Sequence, residues 1–467
     1  MASKAFFNST TGDPTKLQRL LAFQSAFGVP ALDAALIPFK GFGGSMTPSP
    51  KWIRRQQILS RPMRAVDMAS KTDNEGSSFA MGDFDPANHA QLMLMLSYLQ
   101  GYSLATSAGA TRWRISQQQA IDGTELLSKL TYINDTDKGI PIRFVDLMCN
   151  GFNIGFQPRS NAAINYNVIA GKHDFWAEDV ITGTGVIKMH LRHTFPGNWE
   201  DSTTLYDVEL TVSAPTATTV DVAVSVGGGA DSATQTITKG RWTYLYTGTP
   251  ASVPLGNRAQ QVQVYIPTGI AGNFVAADVH KFESRRVVAT VDGDYPIPFP
   301  ISETQCRFFL GDEEIAVDNG VTITASAPGA VVRYAAGGEQ PVGTDRKGQQ
   351  DISVQLDRRL VDLDLQYLLM TRGQAKLVIE AVGDDEIAAS GVYYGATFVF
   401  PNLVLEGAMH DAAAGAQNFN ETLTLKAGKS DVDVTFPSVA GIAAITDFTA
   451  DMEVVWDTDL VAADLGL

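Results

Sequence analysis

Two stretches of the chain carry the same succession of polar and apolar residues. Gly76 to Gly101 reads GSSFAMGDFDPANHAQLMLMLSYLQG, and Gly348 to Gly373 reads GQQDISVQLDRRLVDLDLQYLLMTRG. Each starts with glycine and a short run typical of a strand, continues with an aspartate and an amphipathic run of about three helical turns, and ends with glycine. The pattern predicts one strand–turn–helix unit made twice.

In both units the aspartate is placed to cap the helix, because its carboxylate can accept a hydrogen bond from the first backbone N–H groups. Asp85 precedes a helix predicted to run through Leu99, and Asp357 precedes one predicted to run to Met370. The apolar faces would be formed by Leu92, Leu96 and Leu99 in the first helix and by Leu360, Leu363 and Tyr367 in the second.

Strand-like segments joined by polar turns follow both helices. They are LSKLTYIND, IPIRFVDLMCNGFNIGFQ and INYNVIAGK after the first, and QAKLVIEAVG, ASGVYYGATFVFPNLVLEGA and NETLTLKAGK after the second. Both sets close on Ala-Gly-Lys, at 170–172 and 427–429. The order of elements matches better than the residues do, which indicates a divergent internal duplication. The predicted fold class is mainly β: a β-sandwich or open barrel with a flanking helix, duplicated.

Residues 179–287 have a different character. Strand-like runs follow one another with turns about every 8–12 residues, as in β-sandwiches. Val220, Val222, Val224 and Val226 alternate with polar or small residues, which is typical of a strand with one buried face. We therefore predict a β-sandwich inserted between the repeats. The predicted domains are repeat 1 at 1–178, the insert at 179–287 and repeat 2 at 288–467.

The N-terminal region contributes a predicted helix and a basic segment. Asp13-Pro14 and Gly28 bracket a short helix from about Pro14 to Phe27. The Gly/Pro/Ser-rich segment GFGGSMTPSPKWIRRQQILSRP follows, with a basic centre formed by Lys51, Arg54, Arg55, Arg61 and Arg64. A long, irregular, charged segment is either an arm that reaches a neighbouring subunit or a solvated loop.

Composition narrows the class of protein. A chain of 467 residues, 45% hydrophobic and 18% charged, is typical of a folded protein of about two to four domains. It has no apolar run of the roughly 18–20 residues that a membrane span needs, and its first residues lack the apolar region of a secretory signal. Cys149 and Cys306 have no metal-ligand spacing. We expect synthesis in a reducing cytosol and no membrane partner.

The net charge of −16 is unevenly spread. Residues 1–172 carry 17 basic and 12 acidic side chains, net +5; residues 173–287 carry 8 and 11, net −3; residues 288–467 carry 10 and 28, net −18. An acidic surface favours solubility, and it also repels the phosphates of a polyanion. Both interpretations disfavour nucleic-acid binding.

Candidate chemistry is scarce. The sequence contains no HExxH, no G-x-S-x-G and no P-loop. His190 and His193 are three residues apart on a predicted strand, so they should lie on opposite faces. We expect no enzyme activity, no metal and no cofactor. Trp242, Tyr244 and Tyr246 alternate on one face of a predicted strand. Together with Trp199 they would either stack on sugars or fill a sandwich core.

The order of elements resembles the tail tube protein (major tail protein) family of long-tailed bacteriophages, in its duplicated form. Three features carry the resemblance. They are the strand and Asp-capped helix of Phe79–Leu99, the segment DKGIPIRFVDLMCNGFNIGFQPRSNAAINYNVIAGK with a strand pair, a polar break and a strand ending in Gly-Lys, and the repetition of both in the C-terminal third.

The resemblance implies a structural virion protein, made and assembled in the host cytoplasm. Copies would form homotrimeric, pseudo-hexameric rings that stack into the tail tube, through which viral DNA passes without specific binding. Implied partners are the chain itself and the tape measure, tail terminator and baseplate proteins. The insert resembles jelly-roll carbohydrate-binding modules or immunoglobulin-like decorations of tail proteins, although its position between the repeats departs from the family's plain pattern.

Two other functions stay open at this point. One is a different tail component, such as a distal tail or baseplate protein, whose ring would cap without polymerising. The other is a glycan-binding or glycan-cleaving protein that acts through the central sandwich and loses sugar binding in Trp242→Ala. A further hypothesis, motivated by the charge split, pairs the basic segment with the acidic C-terminal repeat between subunits.

Overall fold

The fold is given by a computed structural model. It describes residues 18–31, 36–38, 49–56, 65–73, 77–107, 109–117, 129–135, 142–175, 179–185, 187–192, 200–201, 204–205, 207–226, 232–247, 253–254, 262–268, 274–283, 299–311, 313–317, 320–334, 341–346, 350–359, 367, 371, 373–411, 420–428, 448, 450–465 and 467.

The first part of the chain contributes eleven described strands and one α-helix. The strands are β1 (Gln18–Phe23), β2 (Ile37–Pro38), β3 (Ser49–Gln56), β4 (Ala65–Asp73), β5 (Ser77–Asp83), β6 (Gln100–Ser107), β7 (Ala110–Gln117), β8 (Leu130–Asp135), β9 (Ile142–Phe156), β10 (Ala163–Ile169) and β11 (His173–Phe175). Helix α1 (His89–Leu99) connects β5 to β6.

The middle of the chain contributes twelve described strands, most of them short. They are β12 (Asp179–Thr182), β13 (His190–Arg192), β14 (Glu200–Asp201), β15 (Thr204–Leu205), β16 (Asp207–Pro215), β17 (Thr219–Val226), β18 (Gln235–Thr238), β19 (Thr243–Tyr244), β20 (Tyr246–Thr247), β21 (Val253–Pro254), β22 (Gln263–Tyr265) and β23 (Val279–Glu283).

The last part contributes ten described strands and two short 3-10 helices, Glu303–Gln305 and Ala462–Leu465. The strands are β24 (Cys306–Leu310), β25 (Glu313–Glu314), β26 (Gly320–Ser326), β27 (Ala330–Tyr334), β28 (Pro341–Arg346), β29 (Asp351–Arg359), β30 (Gln374–Glu386), β31 (Tyr393–Asp411), β32 (Asn420–Ala427) and β33 (Glu453–Thr458). The predicted mainly-β class is confirmed.

The order in which strands pair is the same in the first and last parts. It is β2-β1-β8-β9-β10-β5 in the first part and β25-β24-β30-β31-β32-β29 in the last, with every pair antiparallel. A two-stranded hairpin precedes the final member of each set along the chain: β3–β4 before β5, and β27–β28 before β29. The two parts therefore share one topology.

A β-bulge sits at the same place in both sets. The β9–β10 pairing passes over Asn150, next to Gly151, and the β31–β32 pairing passes over Glu406, next to Gly407. A bulge adds a residue to one strand and bends it. Because of this bend, β9 continues as a single strand of 15 residues where a strand pair was predicted.

Two strands join the parts into one 17-stranded sheet. β26 pairs with β9 on one side and with β29 on the other, and β33 pairs with both β31 and β7. A single hydrophobic core lies inside, with side chains from both parts that include Phe152, Val354 and Phe398.

Helix α1 lies inside this core rather than on its flank. The predicted helix through Leu99 is confirmed, and so is the burial of Leu92, Leu96 and Leu99. Because ten consecutive residues, Ala90 through Leu99, are buried, the helix is not amphipathic as predicted. The sequence HAQLMLMLSYL is apolar on every side, which is the composition of a helix buried all round. α1 packs against β6, β7 and β9.

The predicted cap of α1 is also wrong. Asn88 is the N-cap, and its Oδ1 accepts a hydrogen bond from the N–H of Ala90 at 3.0 Å. The Asp85 carboxylate instead accepts from the N–H groups of Ala87 and Phe299, at 2.9 and 3.1 Å. Asp85 thus fixes the turn before α1 and ties it to the last part of the chain.

Asp357 does not cap a helix either, since it lies within β29. The buried face of this strand is formed by Ile352, Val354 and Leu356, and it continues to Arg358, which ion-pairs with Glu421 directly opposite on β32. The predicted positions Leu360 and Leu363 fall outside the described residues. Tyr367 is helical but 71% exposed, so it does not lie on a buried apolar face.

The predicted helix from Pro14 to Phe27 is wrong where the chain is described, because Gln18–Phe23 form strand β1. Leu21 and Phe23 face the main core, while Leu20 and Ala22 face a second cluster with Ile133. Both faces of β1 are therefore buried, and a continuous apolar run of this kind suits a strand covered on two sides.

The middle of the chain has its own core. A five-stranded sheet, β12-β23-β16-β17-β18, and a three-stranded sheet, β13-β22-β19, both contribute side chains to one hydrophobic cluster. The valines of β17 at 220, 222 and 224 are buried in it. A hydrogen bond of 3.0 Å from Arg143 Nη2 on β9 to the carbonyl of Leu191 on β13 connects this unit to the main sheet.

Candidate functional site

The two described histidines of the middle unit, His190 and His280, lie in its interior, and His193 falls outside the described residues. Nδ1 of His280 and Oδ2 of Asp179 are 2.7 Å apart, both side chains are buried, and the same carboxylate oxygen accepts from the Met189 N–H at 2.6 Å. His190 is also buried, and desolvation, together with the charges of Arg143 and Lys188, lowers its pKa to about 3. These groups connect strands inside the unit. In the described part of the chain no group of three or more His, Cys, Asp or Glu is arranged to hold a metal ion.

The most informative surfaces are the places where the first and last parts of the chain meet. Strand β26 forms the first of these seams. Ile323 lies opposite Ile154 of β9 and Val354 of β29, and Ala325 lies opposite Phe152 of β9. All of these side chains are buried in the main core. The seam therefore joins one set to the other by both backbone pairing and apolar packing.

Strand β33 forms the second seam with β7, and charged pairs line it. Arg112 donates two hydrogen bonds to Asp457, from Nε to Oδ1 at 2.7 Å and from Nη2 to Oδ2 at 2.8 Å. Arg114 Nε lies 2.6 Å from Glu453 Oε2. Burial raises the pKa of Asp457, while its hydrogen bonds and the charge of Arg112 act in the opposite direction.

The β27–β28 hairpin docks across the first seam onto the β9–β10 bend. Val332 packs with Met148 and Ile169 in a small apolar cluster. The backbones of Gly343 and Gly171 approach so closely that a Cβ on Gly171 would lie 2.8 Å from Gly343 Cα. The hairpin of one set therefore covers the bend of the other.

A buried polar cluster holds the hairpin in place. Lys129 Nζ donates to the carbonyl and the hydroxyl of Thr344, both at 2.7 Å, and the same hydroxyl donates to the carbonyl of Asp146 at 2.8 Å. Burial lowers the pKa of Lys129 to about 8 and raises that of Asp146. Asp146 Oδ1 accepts from the Gly28 N–H at 2.8 Å, which brings the turn after β1 into the cluster.

Arg346, at the end of the hairpin, contacts the C-terminal end of α1. Its Nη1 donates to the carbonyl of Tyr98 at 2.6 Å, and its guanidinium lies 4.7 Å from the centre of the Tyr98 ring. The last carbonyls of a helix have no partner within the helix and carry partial negative charge. Arg346 satisfies one of them from the other set.

The edges that correspond to the first seam have no pairing strand in the described part of the chain. β26 covers one edge of β29 and one edge of β9. The counterpart of β29 is β5, which pairs with β10. The counterpart of this part of β9 begins at Gly407, within residues 405–411 of β31, which pair with β32. No other described strand pairs with either of them. Two matching strand edges are therefore without a pairing strand among the described residues.

The predicted basic arm is only partly described. Lys51, Arg54 and Arg55 lie on β3, which forms a regular hairpin with β4, so the expectation of an irregular segment is wrong there. Arg55 lies opposite Asp67 in this pairing. Arg61 and Arg64 fall outside the described residues. Among the described strands, β3 and β4 pair with each other alone.

The predicted aromatic group is divided between two small sheets. Trp242 is half-buried and its ring centre lies 5.5 Å from that of Tyr265. Tyr244 is on β19, which pairs with β22, and it is 45% exposed; Tyr246 is on β20, which pairs with β21. Trp199 falls outside the described residues. The three described rings therefore do not share one continuous strand as predicted.

No model of a known protein family matches the chain, and no curated protein matches it. Among the described residues there is no helix with the length and apolar character of a membrane span. The seams and their exposed counterparts were not predicted from the sequence. Their only signal was the alternation in GVTITAS and EVVWDT, which indicates strands but not their partners.

Proposed function

We propose that this chain is a structural protein of a bacteriophage tail tube. Copies associate side by side through the exposed edges of β5 and of residues 405–411 of β31. Three copies supply six similar units to a pseudo-hexameric ring, and the rings stack into a tube through which viral DNA passes. The tape measure, tail terminator and baseplate proteins would be the partners at the ends and in the lumen.

The observation that carries this proposal is the β26 seam. It joins the edge of β9 in one six-strand set to the edge of β29 in the other, while the matching edges of β31 and β5 have no partner among the described strands. A surface that joins similar units head to tail generates a ring when the rotation between them closes. Unpaired strand edges are also an aggregation hazard, which ring closure removes.

Charge supports the role of a conduit. Residues 288–467 carry a net charge of −18, and residues 1–172 a net charge of +5. A wall with excess negative charge repels DNA phosphates and avoids the counterion release that makes DNA adhere to basic surfaces. The opposite signs of the two parts favour contact between a basic surface of one copy and an acidic surface of the next.

Negative-stain electron microscopy of the purified chain, concentrated in moderate salt, tests the proposal. We expect hollow rings or tubes with a threefold-modulated outline. Rings that never stack would assign the chain to a capping component such as a distal tail or baseplate protein. A monomer at every concentration, measured by analytical ultracentrifugation, would contradict self-assembly.

A second candidate function is sugar binding by the middle unit, and one observation favours it. Tyr244 is exposed and Trp242 is half-buried on the same short segment, and aromatic rings offer an apolar surface on which a sugar can stack. Glycan-array binding that disappears in both Trp242→Ala and Tyr244→Ala, without loss of the folded state, would support this function. Unchanged binding in the two variants would exclude these rings as the site.

A further inference from the structure

We propose that the β3–β4 hairpin docks on the β31–β32 bend of a second copy of this chain. The bend surface is defined by Val404, Glu406 and Lys426. This inference rests on the self-association proposed above and assigns the contact that accompanies it. Its basis is the internal repeat, since the corresponding hairpin and bend already form a contact within one chain.

The two hairpins hold the same place in the topology. β3–β4 precedes β5 and β27–β28 precedes β29, and β5 and β29 are the final members of the two matching strand orders. The β27–β28 hairpin crosses the β26 seam and covers the β9–β10 bend of the other set through Val332 and Gly343. Among the described strands, β3 and β4 pair only with each other.

The two bends match residue by residue. Met148 pairs with Ile169 beside the bulge at Asn150, and Val404 pairs with Lys426 beside the bulge at Glu406. Counting from the bulge, Val404 therefore corresponds to Met148, and Lys426 to Ile169.

Burial separates these equivalent positions. Met148 is 0% exposed and Ile169 4% exposed beneath the β27–β28 hairpin, whereas Val404 is 39% exposed and the Lys426 side chain 45% exposed. When equivalent positions are buried under a hairpin in one repeat and exposed in the other, we infer that a similar hairpin binds at the exposed positions. The β3–β4 hairpin is the corresponding hairpin of this chain.

The charges of the two surfaces are complementary. On the bend, Lys426 Nζ lies 3.1 Å from Asp351 Oδ1 and 3.7 Å from Glu406 Oε1, so one cation is shared by two carboxylates. The strands of the hairpin carry more basic than acidic residues: Lys51, Arg54, Arg55 and Lys71 against Asp67 and Asp73. The bend therefore has an excess negative charge that the hairpin complements.

The occupant is a second copy for a geometric reason. The β27–β28 hairpin reaches its bend by crossing the β26 seam, which lies within the chain. The β3–β4 hairpin would have to cross the edge of β5 in the same way to reach residues 405–411 of β31. In the proposed ring, the edge of β5 and residues 405–411 of β31 belong to adjacent copies. An isolated two-stranded hairpin is also only marginally stable in water, so a covering surface stabilises it.

Site-specific photocrosslinking tests this contact. A benzophenone amino acid is placed at Val404, and, as a matched control, at Val382 on β30, which is exposed to nearly the same extent at 37%. Light and heavy isotope-labelled chains are mixed before assembly and crosslinked peptides are identified by mass spectrometry. We expect position 404 to crosslink to residues 49–73 in mixed light–heavy pairs, at least several-fold more than position 382 does.

A charge variant gives a second readout. Glu406→Lys reverses the sign of the bend next to the probe without changing a buried side chain, and we expect it to lower the yield of the 404-to-hairpin crosslink several-fold. A yield that does not change would overturn the charge complementarity on which the docking is argued.

The outcomes separate this inference from the proposed function. Rings that form while position 404 crosslinks only to segments other than 49–73, or to 49–73 of the same copy, would overturn the docking and leave the tube proposal in place. Chains that stay monomeric under every condition would overturn both. Mixed pairs between position 404 and the hairpin, weakened by Glu406→Lys, support the docking directly.

Discussion

Arg112 and Asp457 lie directly opposite each other on β7 and β33 and share two hydrogen bonds across the second seam. Both side chains are buried, and removing one partner of a buried pair leaves the other charge without compensation. We expect Arg112→Ala to lower the free energy of unfolding by about 3–5 kcal/mol. Urea denaturation followed by tryptophan fluorescence measures the change, since Trp113 and Trp456 are paired in the same seam.

The chain offers an exposed ion pair as the matched control. Arg307 and Glu314 are 2.9 Å apart on β24 and β25, and both are more than half exposed. Exposed pairs contribute little to stability because water and salt screen them. If Arg307→Ala destabilised the protein as much as Arg112→Ala, burial would not be what gives the seam pair its importance.

Gly171 allows a test of the hairpin contact within one chain. An alanine there would bring its Cβ to 2.8 Å from Gly343 Cα, and backbone atoms must shift to make room. We expect Gly171→Ala to cost about 1–3 kcal/mol of stability, the usual cost of overpacking. Gly155→Ala is the control, because a Cβ at Gly155 would meet no atom within 4 Å. Equal melting temperatures for the two variants would contradict a close hairpin contact.

His190 predicts an acid sensitivity of the middle unit. Burial and the charges of Arg143 and Lys188 lower its pKa from 6.5 to about 3. The unfolded chain therefore binds a proton at His190 below about pH 6.5 that the folded chain does not bind until about pH 3, so stability falls as the pH falls through this window, by up to about 1.4 kcal/mol per pH unit.

Replacement of His190 by phenylalanine removes this proton. Between about pH 6.5 and pH 5, the wild-type protein should lose about 2 kcal/mol more stability than His190→Phe does. Urea denaturation at both pH values measures the loss of stability of each protein. The difference between the two losses cancels the contributions of the other titrating groups. Parallel pH profiles would show that His190 does not titrate differently in the folded and unfolded chains.

Two neighbouring residues on β31 test the proposed assembly edge. Successive N–H groups of a strand point to opposite sides, so only one of Met409 and His410 donates toward β32, and the other donates toward the exposed edge. Proline is tolerated in a strand where its missing N–H would face outward. Of Met409→Pro and His410→Pro, we expect one to unfold more easily and the other to keep the wild-type melting temperature but form no rings.

Melting temperature by calorimetry and ring counts by electron microscopy give the two readouts for this pair. A stable variant that still assembles as the wild type does would exclude residues 405–411 as the contact edge. The less stable variant serves as the control that proline perturbs β31 where its N–H is already paired.

Alternation along single strands was enough to predict the β-rich fold. The caps assigned to Asp85 and Asp357 in the two repeated units were wrong. The valines of β17 and the run from Ile352 to Leu356 have the period of a half-buried strand, and they are strands. β29 then continues past Asp357 because Glu421 neutralises Arg358 from another strand. That neutralising partner lies 63 positions away, beyond the reach of a local pattern.

The seams depend on partners that lie even farther apart. Val321 lies beside Phe156 on β9, and Asp457 beside Arg112, with 345 positions between the latter two. Hydrophobic alternation alone does not distinguish one strand-like run from another as the partner of β26 or β33. The pairing depends on how all the strands pack together in the core. In α1 the relevant signal was present, since HAQLMLMLSYL is apolar on every side, but it was interpreted as one face of an amphipathic helix.

The position of β33 also constrains the order of events during synthesis. β7 leaves the ribosome early, yet one of its two neighbours in the sheet, β33, is made only after residues 179–287 and the whole second strand set. Until then β7 and β31 each lack a pairing strand, and contacts between residues so distant in the chain form slowly. During synthesis the edge of β7 therefore stays unpaired until residues 453–458 have been made. In that interval the same edge can pair with a neighbouring nascent chain, which leads to aggregation.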